Sequence, residues 1–479
     1  MRGVWTTSRV RSAEDRLLAR TPEGALMRRA AYGVSVRAAE LLTAHTGRVA
    51  GTRVVLVVGA GNNGGDALWA GHFLRRRGVG VTAVLLRPNK THPEGLAVLR
   101  RAGGRVCTAE AADLEKADLV IDGVVGLSAR GPLRPDAAAL FAQVTAPVLA
   151  VDLPSGVDPD TGAVTGPAVR ATSTVTFGAL KPVHVLNPQY CGDTVFVDLG
   201  LGDELGDPDL SRLDVADVAA AWPLPKPQDN KYTQGVTGVA AGSSAYPGAA
   251  VLAAGAAVRA KAGMVRYAGH AADVVRQHWP EVVATGSITD AGRVQAWVVG
   301  PGLGTGREGR DVLATALEQG VPVCADADAI TIVAEHPEVL DARDPDTPLL
   351  LTPHDGEFER LTGATPGEDR VAAVREAARR FRAVILLKGH CTVIADPRGR
   401  VLVNRPRGAW LATAGSGDVL SGLIGGLLAA GLDPWWAAGV AADVHARAGE
   451  LAARGAPTSA SAVLAAVPDA IRQVRSLVE

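Results

Sequence analysis

The sequence predicts an α/β protein of two domains, and three observations lead to this prediction. The chain has 479 residues, which exceeds what one ordinary hydrophobic core accommodates. Short apolar runs alternate with helical patterns in both halves, as in doubly wound parallel sheets. Residues 202–229 are rich in Asp, Gly and Pro and show no sustained strand pattern. We therefore expect one domain over residues 1–212 and a second over residues 213–479.

The composition is that of a globular protein, with 47% hydrophobic and 21% charged residues. A formal net charge of −1 provides no basic field for nucleic acid and no polybasic patch for a membrane surface. The N-terminus leads into charged residues, and no run reaches the ~18 apolar residues of a membrane span. The four cysteines are far apart without Cys-x-x-Cys spacing, so neither a zinc site nor a disulfide framework is indicated. We expect a soluble cytoplasmic protein that binds neither nucleic acid nor membranes.

The first helical pattern runs from residue 8 to about residue 44, where charged and apolar residues alternate at helical spacing. Leu17, Leu18, Leu26 and Met27 are its candidate core contacts. We interpret the segment as an amphipathic helix that covers the first domain or joins subunits. Together with the Ala-rich helices of the chain, it favours a homo-oligomer.

The apolar run of residues 53–59 has the character of a central parallel strand buried on both faces. It leads into Gly59-Ala-Gly-Asn-Asn-Gly-Gly-Asp66 and then into a helical pattern that starts at the next residue. This succession predicts the phosphate-binding corner of a Rossmann-like fold, because glycines let the backbone approach a ligand's phosphates. Asn62, Asn63 and Asp66 add side-chain groups suited to a cation or a polar ring. The alternative is a tight turn with asparagines in left-handed conformations.

Two later strands of the first half end in an aspartate. They are Leu119-Val-Ile-Asp122 and Val148-Leu-Ala-Val-Asp152. Their carboxylates lie at the carboxyl ends of strands, where open α/β sheets bind ligands. Either aspartate has a structural alternative as the cap of the next helix. Two at the same edge as the Asn-rich loop favour a binding site.

These pieces resemble the NAD(P)H-hydrate epimerase family over residues 10–201. The motifs that carry the resemblance are Gly-Asn-Asn-Gly-Gly-Asp, Asp-x-x-x-Gly, Asp-x-Pro-Ser-Gly, and Thr-Val-Thr-Phe-Gly with a lysine. The resemblance implies that Asp152 touches the substrate. It also implies that Asn63, Asp122 and Ser155 bind potassium, and oxygen ligands suit such a hard ion. Further contacts with the hydrated nicotinamide nucleotide are implied for Asn62, Asn63, Gly64, Gly65, Asp66, Gly126, Leu127, Ser128, Ala129, Arg130, Gly131 and Pro132.

Lys181 follows the run Thr174-Val-Thr-Phe-Gly-Ala-Leu at the end of another strand. One interpretation is a solvated surface lysine. The family resemblance equally supports a role with Asp152 in proton transfer or phosphate binding. Asp152 and Lys181 are therefore the candidate catalytic residues of the first domain.

Four apolar runs of the second half each end in a cluster of Gly, Asp, His or Lys. They are Trp297-Val-Val-Gly-Pro-Gly-Leu-Gly304, Val323-Cys-Ala-Asp-Ala-Asp328, Leu350-Leu-Thr-Pro-His354-Asp-Gly-Glu357 and Val384-Ile-Leu-Leu-Lys388-Gly-His-Cys-Thr392. Parallel strands bring such clusters to one edge of a sheet, as a ligand cleft requires. Ahead of them an Ala-rich helix begins near Pro247, and its small residues suit either a flat ligand or close helix–sheet packing.

The most informative stretch of the second half is Leu411-Ala-Thr-Ala-Gly-Ser-Gly-Asp418, which an apolar helical pattern follows. Free N–H groups at such a helix start, together with the helix dipole, bind anions such as phosphate. Asp418 adds a carboxylate beside the phosphate site, where a general base can take a proton from an attacking hydroxyl. The alternative is an ordinary helix-capping aspartate after a glycine turn.

The phrase Ala-Thr-Ala-Gly-Ser-Gly-Asp-Val-Leu-Ser-Gly resembles the signature of the ADP-dependent NAD(P)H-hydrate dehydratases, a branch of the ribokinase-like superfamily. With the four clusters, the resemblance covers residues 213–465 and implies a ribokinase-like α/β/α domain. It implies that Ala249, Gly304, His354 and Asp418 contact the hydrate, although a lone histidine such as His354 is more often structural. Nucleotide contacts are implied for Lys388, Gly389, His390, Cys391, Thr392, Gly415, Ser416 and Gly417.

Together the two resemblances imply a bifunctional repair enzyme. The first domain would interconvert the R and S hydrates of NADH or NADPH, and the second would dehydrate the S hydrate with ADP, giving AMP and phosphate. We expect ADP rather than ATP, Mg²⁺ on the nucleotide phosphates, and K⁺ in the first domain. Two alternatives stay open: another small-molecule kinase of the ribokinase class, and a first domain that only binds a nucleotide or a partner.

Overall fold

The computed structural model describes residues 1–128, 130–261 and 263–477. Ala129, one of the predicted substrate contacts, lies outside the described residues. The chain forms two compact units, Gly3–Leu210 and Ser211–Glu479, and the second also includes Met1–Arg2. We refer to them as the first unit and the second unit.

The first unit combines seven strands of one sheet with helices. After the short strand β1 (Arg2–Val4), the strands are β2 (Arg53–Val58), β3 (Gly80–Leu85), β4 (Arg105–Cys107), β5 (Leu119–Gly123), β6 (Val148–Val151), β7 (Ser173–Phe177) and β8 (Asp193–Val197). The helices are α1 (Thr7–Leu18), α2 (Ala25–Thr46), α3 (Asn62–Arg75), α4 (Pro93–Arg101), α5 (Pro135–Phe141), α6 (Val183–Leu186), α7 (Pro188–Cys191) and α8 (Gly202–Leu205).

The sheet of the first unit has the strand order β4-β3-β2-β5-β6-β7-β8, and every neighbouring pair is parallel. This confirms the doubly wound parallel sheet predicted from the alternating pattern. The strand order reverses between β2 and β5, and the loops leaving two such strands diverge to form a ligand crevice. Directly at the strand ends the two segments are still in contact, since a Cβ added to Gly59 would lie 1.9 Å from the Val124 carbonyl oxygen.

The N-terminal helical pattern forms two helices, and our prediction of a single helix was wrong. Pro22 and the left-handed Gly24, with φ of 70°, separate α1 from α2. Leu18, a predicted core contact, is 47% exposed. Helix α2 packs against α3, and much of this contact is made by small side chains. The buried positions of the two helices include Val10, Ala13, Ala31, Val34, Ala38 and Leu42.

The second unit combines a larger sheet with long apolar helices. From the boundary onward the strands are β9 (Leu210–Arg212), β10 (Val236–Ala240), β11 (Met264–Ala268), β12 (Val283–Thr285), β13 (Ala296–Val299), β14 (Val323–Ala325), β15 (Leu349–Leu351), β16 (Val384–Leu387), β17 (Val393–Ala395) and β18 (Val401–Val403). The helices are α9 (Val215–Ala221), α10 (Pro247–Ala260), α11 (Ala272–His278), α12 (Arg307–Glu318), α13 (Asp328–Glu335), α14 (Asp355–Thr362), α15 (Arg370–Phe381), α16 (Ser416–Ala429), α17 (Pro434–Ala453) and α18 (Ala460–Ser476).

In the sheet of the second unit, the strands from β9 onward lie in the order β9-β18-β17-β16-β15-β14-β13-β10-β11-β12, and β9 is parallel to β18. The pairs are parallel from β16 to β12, whereas β17 is antiparallel to both of its neighbours. The strand order reverses between β13 and β10, and the loops after these strands meet where Gly242 N donates to Pro301 O at 2.7 Å. The carboxyl ends of β13, β14, β15 and β16 therefore share one edge with this reversal.

Residues 202–229, in which no sustained strand pattern was visible, contain three short elements. They hold α8, β9 and α9, and the change from the first to the second unit falls inside them. Asp214 and Asp217 form a capping box at the start of α9. Elements of three to seven residues are too short to produce a sustained hydrophobic period, so the pattern did not reveal them.

Helix α16 is buried on nearly all sides, as its apolar sequence predicted. It packs tightly against α10, since a Cβ added to Gly422 would lie 2.3 Å from the Ala253 carbonyl oxygen. Glycine at this contact lets the two backbones approach. Within the described parts of the chain, no helix combines the length and apolar character needed to cross a membrane.

Candidate active sites

The first candidate site is a cavity of about 570 Å³ in the first unit, at the reversal between β2 and β5. Residues predicted as substrate contacts line it from the start of α3 and from the segments after β5 and β6: Asn62, Asn63, Asp66, Gly126, Leu127, Ser128 and Asp152. Gly64, Gly65, Arg130, Gly131 and Pro132, which were also predicted contacts, are not among the described residues that line it. The structure thus brings together the glycine corner and the carboxyl ends of β5 and β6.

The glycine corner begins its helix earlier than predicted. Helix α3 starts at Asn62, so Asn62 to Asp66 form its first turns and not a loop. Gly64 and Gly65 have no room for a side chain, because an added Cβ would lie 2.5 Å from Gly59 O and 2.9 Å from the His92 ring, respectively. The N–H groups of this helix start face the cavity end of the sheet, where the helix dipole favours an anion.

Asn63, Asp122 and Ser155, the predicted potassium ligands, lie in one hydrogen-bonded network. Ser155 donates to Asp122 through its hydroxyl at 2.7 Å and through its backbone N–H at 2.9 Å. The Val125 N–H donates to Ser155 Oγ at 3.2 Å, and Asn63 Nδ2 donates to Val125 O at 2.9 Å. Asn63 Oδ1 points toward Gly126, whose added Cβ would lie 3.2 Å away.

This network suits a monovalent cation in its chemistry. Asp122 is fully buried, and it forms no ion pair with any described residue. Burial raises the pKa of Asp122 to about 6, although hydrogen bonds from Ser155 and Val124 act in the opposite direction. A buried carboxylate among amide, hydroxyl and carbonyl oxygens offers a hard cation both charge and ligands.

Asp152 and Lys181 form a buried ion pair, with Lys181 Nζ 2.5 Å from Asp152 Oδ1. The interpretation of Lys181 as a solvated surface lysine was therefore wrong, since the residue is 0% exposed. Lys181 also donates to Thr176 Oγ1 and to Phe177 O, both at 3.0 Å. Asp152 itself has a left-handed φ of 67°, an unfavourable conformation for a residue with a side chain and one concentrated at functional sites.

Three other titratable residues, His184, Asp66 and Glu14, lie near Asp152. His184 Nε2 lies 2.9 Å from Asp152 O, and burial lowers the pKa of His184 to about 4, so its ring is neutral. Burial, followed by Asp152 and Glu14, raises the pKa of Asp66 well above its usual value. Asp66 Oδ1 is buried without a hydrogen-bond partner in the described protein. This site therefore keeps one unsatisfied acidic group beside an ionised pair.

The second candidate site lies in the second unit, at the carboxyl ends of β14 and β16. Lys388 Nζ is 2.7 Å from Asp326 Oδ1 and 3.7 Å from Glu357 Oε2. Ser421 on α16 donates to Asp326 Oδ2 at 2.7 Å. Burial opposes the charge on Lys388, but Asp326, Glu357 and Asp418 together raise the pKa of the lysine above its usual value. The ammonium is therefore charged and partly buried, as a phosphate ligand should be.

Asp418 lies in the first turn of α16, three residues after the N-cap. The N-cap is Gly415, with a left-handed φ of 84°, so our alternative of a capping Asp418 was wrong. Burial raises the pKa of Asp418 to about 7, with Asp326 and Asp328 raising it further and Lys388 lowering it. A carboxylate with this pKa beside a lysine and a helix start has the properties of a general base at neutral pH.

His354 serves as the N-cap of α14. Its Nδ1 accepts from the Gly356 N–H at 3.0 Å and from the Glu357 N–H at 3.3 Å, while Glu357 Oε2 accepts from His354 N at 2.8 Å. This structural role is the one that we considered more common for a lone histidine. The side chain is still 57% exposed, and its Nε2 lies 3.5 Å from Glu357 Oε1. The arrangement holds Glu357 between His354 and Lys388.

The other predicted residues lie along the same edge but not in one cluster. Gly304 N donates to Asp328 Oδ2 at 2.8 Å, and Ala249 packs on Gly302, whose added Cβ would lie 3.0 Å from Ala249 Cβ. Gly417 is beside Lys388, because its added Cβ would lie 3.4 Å from Nζ. The turn between β16 and β17 contains Gly389, His390, Cys391 and Thr392, of which His390 is exposed and Cys391 is buried. Ser416 donates its hydroxyl to Leu411 O at 2.7 Å and so braces the glycine turn.

Sequence reasoning missed three acidic residues of these sites. Asp326 and Glu357 stood inside quoted clusters; Asp326 directly follows β14, and Glu357 follows β15 at the start of α14, which was the available signal. Glu14 lines the first cavity from α1, and only its spacing on an amphipathic helix hinted that it faces inward. Which carboxylate of a cluster meets the lysine depends on packing between distant elements, which the spacing alone does not specify.

Two known protein families match this chain, one in each of its two units. The family described as NAD(P)H-hydrate dehydratase matches residues 237–467, which include the Lys388 and Asp418 site. The family described as YjeF-related protein N-terminus matches residues 23–183, which include the Asn63, Asp122 and Asp152 site. A ribokinase-like superfamily protein from Enterococcus faecalis has a TM-score of 0.51 at 21% identity, covering 56% of this chain and 96% of its own. That likeness confirms the predicted ribokinase-like fold.

Named relatives cover almost the whole chain. A bifunctional NAD(P)H-hydrate repair enzyme Nnr from Mycobacterium tuberculosis is 57% identical over 435 residues, which are 90% of each chain. The enzyme of the same name from Mycobacterium leprae is 55% identical over 479 residues, covering 98% of this chain and 99% of its own. The chain therefore belongs to the family of bifunctional NAD(P)H-hydrate repair enzymes, in which an epimerase part and a dehydratase part are fused.

Proposed function

We propose that residues 1–212 interconvert the R and S hydrates of NADH and NADPH, and that residues 213–479 dehydrate the S hydrate with ADP. The enzyme name of the relatives and the two matched families support this division. The observation that carries the second activity is Asp418, which stands at a helix start beside Lys388 with its pKa raised to about 7.

The position of Asp418 beside Lys388 and the start of α16 suits a dehydration that proceeds through phosphorylation. Hydroxide is a poor leaving group from C6 of the hydrated nicotinamide, whereas phosphate is a good one. Asp418 takes the proton of the C6 hydroxyl, and the oxygen attacks the terminal phosphorus of ADP, leaving AMP. The N–H groups at the start of α16 and the Lys388 ammonium stabilise the charge on the transferred phosphoryl group. The ring nitrogen then assists departure of phosphate, and loss of the C5 proton gives the reduced cofactor.

We propose Mg²⁺ as the companion of the nucleotide phosphates, whose charge it neutralises in phosphoryl transfer. The described residues include no group of three or more His, Cys, Asp or Glu side chains placed to hold a metal. We assign magnesium no protein ligand for this reason. The Lys388 side chain and the α16 helix start fit the polyphosphate that would carry the ion.

We propose that Asn63, Asp122 and Ser155 hold potassium in the first site. The uncompensated charge of buried Asp122 supports the assignment. When bound, the ion would neutralise this charge and offer an electrostatic contact to an oxygen of the substrate. Asp152, held by Lys181, is the proposed group that exchanges a proton with the substrate.

Three further assignments belong to this proposal. We propose ADP over ATP as the phosphoryl donor, a homo-oligomeric state, and a reducing cytoplasm as the compartment. The last is supported by the four cysteines, Cys107, Cys191, Cys324 and Cys391, which are all free.

The test is to incubate mixed R and S hydrates with ADP and magnesium and to follow recovery of the near-ultraviolet absorbance of the reduced cofactor. Full recovery with release of AMP and phosphate is the expected result. A stable phosphorylated product from another alcohol, without recovery of the reduced cofactor, would favour a small-molecule kinase of the ribokinase class. Recovery limited to the S fraction would indicate that the first unit only binds a ligand.

A further inference from the structure

Helix α1 forms part of the wall of the first cavity, although it precedes the matched residues 23–183. Glu14 is the partly buried acidic residue of this helix that lines the cavity. The same cavity is lined by Asp152 at the end of β6 and by Asp66 on α3. The other acidic residues of the lining, Asp15, Glu23 and Glu94, are exposed, so three buried or partly buried carboxyl groups from three separate elements face one space.

The three carboxyl groups differ in their partners. Asp152 receives hydrogen bonds from Lys181 and from Thr176, both at Oδ1. Glu14 has no ion pair or hydrogen bond with any residue that the structure describes. Asp66 Oδ1 is buried and has no hydrogen-bond partner among the described residues. An unsatisfied buried oxygen that lines a cavity points to a ligand that satisfies it, because such a group is costly when left alone.

The charged groups that act on Glu14 lie on α1, on α3 and at the sheet edge, and His92, Glu94 and Glu23 also line the cavity. Arg11 and Asp15 lie on its own helix, Lys181 and Asp152 lie at the sheet edge, and Asp66 lies on α3. Burial raises the pKa of Glu14 to about 7, Lys181 and Arg11 lower it, and Asp152 and Asp15 raise it. Glu14 is thus divided between its acid and base forms near neutral pH, while Asp152 stands beside an ammonium.

Inversion at C6 of the hydrate needs two proton-transfer groups. The C6 hydroxyl gives its proton to a base, the C6–N1 bond breaks with its electron pair going to N1, and N1 takes a proton from an acid. C6 is then an aldehyde carbon, and rotation about the C5–C6 bond presents its other face. The reverse transfers close the ring in the opposite configuration and return both protons. No oxidant, reductant or phosphate is consumed.

We propose that Glu14 is the acid of this epimerisation, donating to N1 while Asp152 accepts the hydroxyl proton. The inference rests on the proposed epimerase activity of the first unit. The geometry supports the division of roles: Asp152 is in a direct ion pair with the Lys181 ammonium, whereas Glu14 reaches the cavity from a different wall and forms no ion pair with a described residue. Two groups on different walls can address two atoms of one ring at once.

The experiment uses the full-length enzyme and the purified R hydrate without ADP, so that dehydration does not occur. Chromatographic separation of the two epimers gives the rate of interconversion. Glu14→Gln should lower this rate by ~10²–10⁴, and Glu14→Asp should retain part of it. Glu40→Gln, an exposed position on α2 outside the cavity lining, should match the wild type. Thermal unfolding of each variant separates loss of catalysis from loss of fold.

A pH profile distinguishes an acid from a structural residue. Ring opening needs protonated Glu14 in both directions, so the wild-type rate should fall as pH rises through about 7, the pKa to which burial raises Glu14. Glu14→Gln should lack this alkaline limb. Wild-type rates in Glu14→Gln, or a reduced rate that keeps the alkaline limb, overturn the assignment of Glu14. A wild type that does not interconvert the epimers overturns the proposed epimerase activity itself, which is a separate result.

Discussion

Lys388 Nζ lies 2.7 Å from Asp326 Oδ1, and both atoms border the start of helix α16. A Cβ added to Gly417 would lie 3.4 Å from the lysine nitrogen and 3.5 Å from the other oxygen of Asp326. The ion pair therefore fixes an ammonium beside free N–H groups of the helix. A phosphate bound by the ammonium and these N–H groups would lie next to Asp418, which is in the same helical turn. One helix therefore provides both the base and the anion site.

Replacement of Asp418 by asparagine should abolish dehydration and leave nucleotide binding largely intact. The change removes the base but keeps the glycine turn and Lys388, so a loss of ~10²–10⁴ in kcat is expected. Steady-state kinetics with the S hydrate and equilibrium binding of ADP measure the two effects. Glu359→Gln, an exposed position on α14, is the matched control. Near-normal turnover in the Asp418 variant would remove the residue from the mechanism.

The rate of dehydration should depend on pH in the direction set by Asp418. A general base works in its ionised form, and burial raises the pKa of Asp418 to about 7. The rate with saturating ADP should therefore fall about tenfold per unit as pH drops below that value and reach a plateau above it. A rate that stays constant through neutral pH, with chemistry limiting turnover, would contradict the assignment.

Alanine should have different effects at two glycines of α16: at Gly417 it should weaken ADP binding, and at Gly425 it should lower the stability of the protein. Gly417→Ala meets only ordinary contacts, so the fold should be kept while the methyl group crowds the phosphate position. The KM for ADP should rise at least about tenfold, which corresponds to ~1.4 kcal/mol of binding. Gly425→Ala would place its Cβ 2.1 Å from Val298 Cγ2, so it should destabilise the protein by ~1–3 kcal/mol. Equal effects of both variants on KM and stability would argue against a binding role for Gly417.

The parts of the fold that the sequence predicted correctly depend on short-range patterns. The apolar runs that end at Gly59, Asp122 and Asp152 are strands, because buried parallel strands need continuous hydrophobic residues. The glycine run before Asp418 is a helix start, because Gly415 has no side chain and adopts a left-handed conformation at little cost.

Other features depend on contacts between distant elements and were missed for that reason. Lys181 is buried because Asp152, Thr176 and Phe177 surround its ammonium, and a lysine's burial is not visible in its local sequence. Glu14 lines the cavity from α1, and the local sequence of that helix does not show which distant residues share the cavity with it. The predicted roles of Ala249, Gly304 and His354 toward the hydrate stay predictions.

Replacement of Asp152 by asparagine should separate the two activities, because their sites lie on different sheets. The S hydrate should be dehydrated at the normal rate, while the R hydrate should disappear only as fast as it epimerises spontaneously. The measurement is a progress curve on mixed epimers with ADP and magnesium. The wild type should finish in one phase, and the variant should stall after the S fraction.

The controls for this prediction follow from the buried ion pair. Loss of one partner leaves Lys181 uncompensated and should lower the free energy of unfolding by ~3–5 kcal/mol, so the assay belongs well below the unfolding midpoint. Asp193→Asn removes a carboxylate that is 83% exposed beside Arg37 and should change stability by no more than ~1 kcal/mol, with a wild-type progress curve.

Replacing potassium with a bulky organic cation should reproduce the stall in the wild-type enzyme, if Asn63, Asp122 and Ser155 hold the ion beside the substrate. The S phase should keep its rate, because the second site has no part in that network. If the Asp152 variant consumes both epimers as quickly as the wild type, Asp152 is not catalytic. If the organic cation leaves a single phase, the Asn63, Asp122 and Ser155 network is structural and does not serve as a cation site.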